Sequence, residues 1–174
     1  MAFKLTRKKI IIGVIVAIIV LGGAAFAVVT FVLPAKNTTP TGADTTFAKG
    51  VPSKANRETL STSQNKVTKL LAAGDEKSVT AAKAILDAQI TEAEKTSDEA
   101  FSFEAQIAKA QLLIDTDQPQ EAIDTILLPL EKKYGNDDTY KDTVFGNLSN
   151  AYYTLGDSDK GSEYYKKLPV KEFN

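Results

Sequence analysis

Apolar positions fall along this chain in two regimes: one unbroken block near the N-terminus and, much later, a series of short periodic stripes. Ile10 to Leu33 form 24 positions without a charged side chain, and Lys4, Arg7, Lys8 and Lys9 stand directly before them. As a helix at about 1.5 Å per residue the block measures roughly 36 Å, against a hydrocarbon core of about 30 Å, so it spans a membrane with some tilt. The flanking cations set the orientation, with residues 1–9 cytoplasmic and residues 34–174 extracytoplasmic. The competing reading is a cleavable secretory signal, because Ala25-Phe26-Ala27 has the small-x-small form of a cleavage site. The apolar block continues past Ala27 to Leu33, beyond the roughly 7–15 residues of a signal core, which favours an uncleaved single-pass anchor.

Residues 34–56, PAKNTTPTGADTTFAKGVPSKAN, are rich in Thr, Pro, Gly and Lys and show no apolar period. They read as a flexible linker with a root-mean-square span of roughly 25–28 Å. Asn37-Thr38-Thr39 matches a glycosylation sequon, a pattern short enough to arise by chance.

Residues 57–174 carry a helical period throughout, with no credible strand. Val67, Leu70 and Leu71 share a face that ends near Gly74. Ser78 is the expected cap of a second helix that turns Val79, Ala82, Ile85, Leu86 and Ile90 inward. Ser97 is the expected cap of a third, with Phe101, Ala105, Ala108 and Leu112 as its stripe. Pro119 opens a fourth, which carries Ala122, Ile123, Ile126, Leu127 and Leu130 to a stop at Gly135 and is expected to kink or shorten at Pro129. A fifth runs from a Thr139 cap to Leu155 and Gly156, and a sixth from about Ser158 to Leu168, before Pro169. The small residues Ala82, Ala122 and Gly161 open the second helix of each pair at separations of 40 and 39, a spacing suited to stacked helical hairpins.

The chain has no Cys and no His. It therefore holds together without disulfides and lacks the commonest nucleophile, general base and metal ligand. Removing the four N-terminal cations leaves 17 Lys and Arg against 22 Asp and Glu, a net of −5 beyond the anchor. That sign disfavours nucleic acid and anionic lipid head groups as partners. The acidic pairs Glu92/Glu94, Asp98/Glu99 and Asp137/Asp138 read as solvated helix ends, and no cofactor or metal is implied.

The run Asn147-Leu148-Ser149-Asn150-Ala151-Tyr152-Tyr153-Thr154-Leu155-Gly156-Asp157, followed by Glu163-Tyr164-Tyr165-Lys166-Lys167, resembles a tetratricopeptide repeat. The middle hairpin resembles the same repeat through Ala110, Leu113, Ala122 and Pro119-Gln120-Glu121-Ala122-Ile123, with Asp117 in place of the turn Gly. The first fits only at Ala82, Leu86 and the turn near Gly74. The resemblance covers about 110 residues. It implies a short α-solenoid of about three hairpins, which with the single N-terminal transmembrane helix read from the apolar block makes the expected fold all-α. It also implies a concave groove for a protein or peptide partner, lined by Ile107, Gln111, Ile114 and Asp115 in the middle hairpin and Asn150, Tyr153 and Thr154 in the last. The lysines of the carboxylate clamp found in some relatives are missing, with Ile107 and Gly146 at those places.

Function then divides between classes. The expected one is a non-enzymatic, membrane-anchored interaction module that acts as scaffold or adaptor. The alternatives are an exported envelope enzyme with a carboxylate-based site, marked by two converging carboxyls of shifted pKa, and a cleaved secreted repeat protein. The chain ends without a polar capping helix after its last pair. Its tyrosine-rich final face, and the small-xxx-small pairs Gly13/Ala17 and Gly23/Ala27 in the anchor, also allow a homodimer.

Overall fold

The computed structural model describes residues 49–169, which contain six helices and no strand. The expected anchor and most of the expected linker lie outside the described residues. Among those described, no helix is long and apolar enough to cross a membrane.

Helix α1 (Lys54–Ala73) ends at Gly74, whose φ of 68° closes the helix with an N–H bond to the Leu71 carbonyl. Helix α2 (Glu76–Glu94) has its cap three residues before the expected Ser78. Asp75 is the cap, and both the Ser78 N–H and the Ser78 hydroxyl donate to its carboxylate. The same substitution occurs at α3 (Glu99–Asp115), where Asp98 rather than Ser97 accepts the Phe101 N–H. In both cases a carboxylate beside the expected serine takes the exposed helix N–H groups, because charge-assisted bonds and the helix dipole both favour it.

Pro119–Ala122, a π-helical turn Ile123–Leu127, and Leu128–Tyr134 run on as one rod, α4. Pro129 neither breaks nor shortens it. In the widened turn the Leu128 N–H reaches Ile123 O, five residues back, which makes room for a proline ring that would strike the carbonyl four residues back in an α-turn. Helix α5 (Lys141–Leu155) has no side-chain cap. Thr139 sits in the preceding turn and donates its N–H to Asp137 instead. Helix α6 (Ser158–Lys166) is capped by Asp157 after Gly156 turns the chain at φ 91°. In the α3–α4 turn Asp117 takes φ 63° without glycine's freedom.

Each helix packs on the next, and α3 also packs on α1 and α5, so the first helices of the three pairs lie side by side. One face of α3 joins two small clusters with the first pair: Leu60, Ala93, Phe101 and Ala105 in one, Leu71, Ala82, Leu86 and Leu112 in the other. Its other face enters the main core with Ile123, Leu127, Val144, Leu148 and Ala151. The Ser149 hydroxyl crosses the last pair to Gly161 O at 2.8 Å, so the small residue at each crossing permits close approach.

The ordered domain begins earlier than residue 57. Pro52 is buried, Lys49 pairs with Asp137 at 2.8 Å, and Gly50 packs against Thr139. Asp98 Oδ2 accepts from Ser53 N–H (2.8 Å) and from the Asn56 amide (2.7 Å). Burial opposes ionisation of Asp98, but these bonds and the Phe101 N–H outweigh it and hold the carboxyl below its ordinary range. The last expected linker residues thus form a strap across the N-terminal ends of α3 and α5.

Two stability outcomes follow. Asp98→Ala removes three bonds at once, the helix cap among them, and lowers unfolding stability by about 2–3 kcal/mol in urea titration. Gln89 is 4% exposed, and neither end of its amide has a hydrogen-bond partner. Gln89→Leu removes that desolvation cost and raises stability by about 1–2 kcal/mol, read as a higher thermal midpoint.

Candidate partner-binding site

The expected groove residues separate into two groups. Ile107 and Ile114 are each 4% exposed and belong to the main core, so they line no groove. The reason is that α3 lies between two hairpins and must bury a stripe toward each. Phe101, Ala105 and Leu112 serve α1 and α2, while Phe103, Ile107, Ala110, Leu113 and Ile114 serve the later helices. Gln111, Asn150 and Thr154 are exposed as expected. Tyr153 is 46% exposed, but its ring lies on Gly161, so close that a Cβ there would meet ring atoms at 2.8 Å. It faces α6, and Gly161 is the residue that lets it do so. Asp115 stays partly open at the end of α3.

What remains of α3 is a narrow strip between its two buried stripes: Glu104, Gln111 and Asp115, spaced by seven and four residues and thus on one helix face. It points away from the layer of second helices. The opposite polar face is turned toward α2, where Lys109 pairs with Asp87. On α5 the matching strip is Gly146, Asn150 and Thr154, at four-residue steps. A Cβ built on Gly146 meets nothing within 4 Å. Glycine there costs α5 about 0.5–1 kcal/mol against alanine, with no packing gain inside the described chain. It leaves a bare stretch of helix backbone open to approach.

Asp115 was among the expected groove residues and Glu104 was not, although its seven-residue spacing from Gln111 was the available signal. Both are half-buried, and among the described residues neither has a hydrogen-bond or ion-pair partner. Burial alone pushes the Glu104 carboxyl above its ordinary range and that of Asp115 up to about 6. They are the pair of shifted carboxyls an acid–base site would use. Eleven residues of helix separate them by about 16 Å, too far to act on one bond.

Among the described residues no group of three or more acidic side chains is placed to hold a metal ion. An open, shallow depression of about 400 Å³ lies beside Lys49, Asp137 and Thr139 at the strap. The acidic pair Asp137/Asp138 is engaged there by Lys49 and Lys141. Glu99 takes the Tyr134 hydroxyl at 3.0 Å and Lys133 at 3.4 Å, and Glu131 takes the Tyr164 hydroxyl at 2.8 Å and Lys167 at 3.6 Å. These are ties between helices. No protein-family model matches the chain, and no curated protein or solved structure matches it either.

The raised Asp115 carboxyl fixes a pH dependence. The folded state holds its proton more tightly than the unfolded chain, so stability falls as pH rises from about 4 to about 6. Asp115→Asn removes that fall: the variant matches the parent at pH 3.5 and exceeds it by about 1–2 kcal/mol at pH 7.5, after allowance for solvent screening. Urea titrations at the two pH values check the difference.

Proposed function

We propose that this chain is a membrane-anchored, extracytoplasmic interaction module built on tetratricopeptide-like hairpins, a scaffold or adaptor that holds a protein partner near the membrane. The observation that carries the reading is the side-by-side row of α1, α3 and α5, whose outward strip combines polar side chains with a bare turn at Gly146. Such a row is the groove-lining layer in stacked-hairpin proteins. Three further features support it. Ala82, Ala122 and Gly161 are all buried at their near-40 spacing. The left-handed residues Gly74, Asp117 and Gly156 close the three hairpin turns. The packing order also recurs from one pair to the next, each first helix lying on its own second helix and on both helices of the preceding pair.

The membrane part of the reading rests on the sequence of residues 4–33. With the anchor in place, a domain entering at the strap would be held with its first helices' N-terminal ends nearest the tether. Confinement near the membrane raises the effective concentration toward a partner held there as well.

Because the chain has no Cys, single introduced thiols report topology cleanly. A cysteine at exposed Thr62 reacts with a membrane-impermeant maleimide added outside intact cells, and one at Ala2 reacts only after permeabilisation. The reverse pattern ends the topology part of the proposal. For the groove, a photo-crosslinking amino acid at Asn150 yields a discrete adduct that the same probe at Lys77, on α2, does not. Identical adducts from both positions would remove the groove.

A further inference from the structure

Charged side chains on this domain fall into three states. Most acidic groups near the helix packing are paired: Asp87, Glu99, Glu121, Glu131 and Asp137 each hold a lysine. Others, such as Glu58 and Glu94, are exposed and keep their hydration. Glu104 and Asp115 belong to neither group. They are half-buried, so part of their hydration is lost, and among the described residues no cation or donor replaces it. They stand on the face of α3 that none of the described helices covers, at the two ends of the strip that contains Gln111. A carboxylate in that condition gains more from a docking cation than an exposed one, because less water must be displaced and the local dielectric is lower.

The spacing narrows the ligand. Eleven helical residues put the two carboxylates about 16 Å apart, the length of about five residues of extended chain. Beside them, Gly146 leaves a length of α5 without side-chain cover, and Asn150 one turn on offers both a donor and an acceptor to a peptide backbone. A bare helix face flanked by amide side chains suits close approach of a main chain, while the carboxylates suit its side chains.

We propose that this face takes an extended basic segment of a partner protein, with one Lys or Arg at Glu104 and a second, about five residues along, at Asp115. The inference rests on the reading of the row of first helices as a partner-binding groove. Charge complementarity selects the occupant: two acidic contact points at a fixed interval demand cations at a matching interval.

The test uses the full chain in phosphatidylcholine nanodiscs, whose neutral surface does not compete for cationic peptides. The probes are fluorescein-labelled serine peptides carrying two lysines separated by four serines, two adjacent lysines, or two glutamates separated by four serines. Fluorescence anisotropy is expected to give binding of the spaced-lysine peptide about tenfold tighter than the adjacent-lysine one, with none of the glutamate peptide. Glu104→Gln and Asp115→Asn, near-isosteric changes, each weaken that binding about fivefold, whereas Glu94→Gln, with the same loss of charge, leaves it within about twofold.

Equal weakening by Glu94→Gln, indifference to lysine spacing, or no binding of the spaced-lysine peptide would each overturn the inference. Gly146→Phe places bulk on the bare stretch, where a Cβ meets nothing within 4 Å. If it abolishes peptide binding that Glu104→Gln and Asp115→Asn leave intact, the groove stands and the basic-segment inference falls. Spaced-lysine binding that survives Gly146→Phe removes the groove reading itself. Self-association lost in Gly146→Phe, without peptide binding, makes a second copy the occupant and overturns the proposal.

Discussion

Helix α3 is buried from two sides, and the domain depends on that. Nine of its seventeen residues are buried, divided between a stripe that meets the first pair of helices and another that meets the later ones. Neither flanking pair could cover its own apolar surface, since a hairpin of two helices presents more apolar area than it can hide within itself. The aromatic residues are placed to the same end. Phe103, Tyr134 and Tyr140 meet with centroids 4.5–5.3 Å apart, and Tyr152 stacks on Tyr164 at 5.6 Å. Tyr134 and Tyr164 each keep their hydroxyl bonded to a glutamate from a neighbouring element, so the rings are buried without stranding a polar atom.

This double burial also decides what α3 can offer outside. Two wide apolar stripes leave only two narrow polar strips. One is turned to α2 and engaged by Lys109; the other faces away from the second helices and carries Glu104, Gln111 and Asp115. The exposed surface of the central helix is therefore polar and part-buried, an unusual setting for carboxylates that find no partner among the described residues. On α5, which has a single neighbouring pair, the exposed strip is wider and more ordinary, and its distinguishing feature is the lack of a side chain at Gly146.

The two ends of the domain are tied differently. Toward the first pair the packing splits into two small clusters with Gln89 buried nearby, and polar bonds supplement it: Asp98 binds the start of α1 to the start of α3. Toward the last pair the core is continuous and aromatic. The strap from Lys49 to Ser53 bridges the two and is itself part of the folded unit.

Much of this was written locally. The helical period, the turns at Gly74 and Gly156 and the start at Pro119 depend on residues within one or two turns of each other, and the near-40 spacing of Ala82, Ala122 and Gly161 is a repeat along the chain itself, so the sequence alone carried them. The exposure of Gln111, Asn150 and Thr154 was legible for the same reason: they are polar residues on stripes opposite an apolar face. The caps at Asp75 and Asp98 were missed by one to three residues, where a nearby carboxylate outdoes the serine as acceptor for the first helix N–H groups. The π turn before Pro129 was missed because local rules offered only a kink or a stop. Ile107 and Ile114 could not be read correctly at all. Their burial depends on how many neighbours α3 has, and a single helix's pattern does not say whether a second apolar stripe meets a partner protein or another part of the same chain. That no described residue pairs with Glu104 or Asp115 is likewise a tertiary property, because a carboxylate's partner is set by which lysines the fold brings within reach.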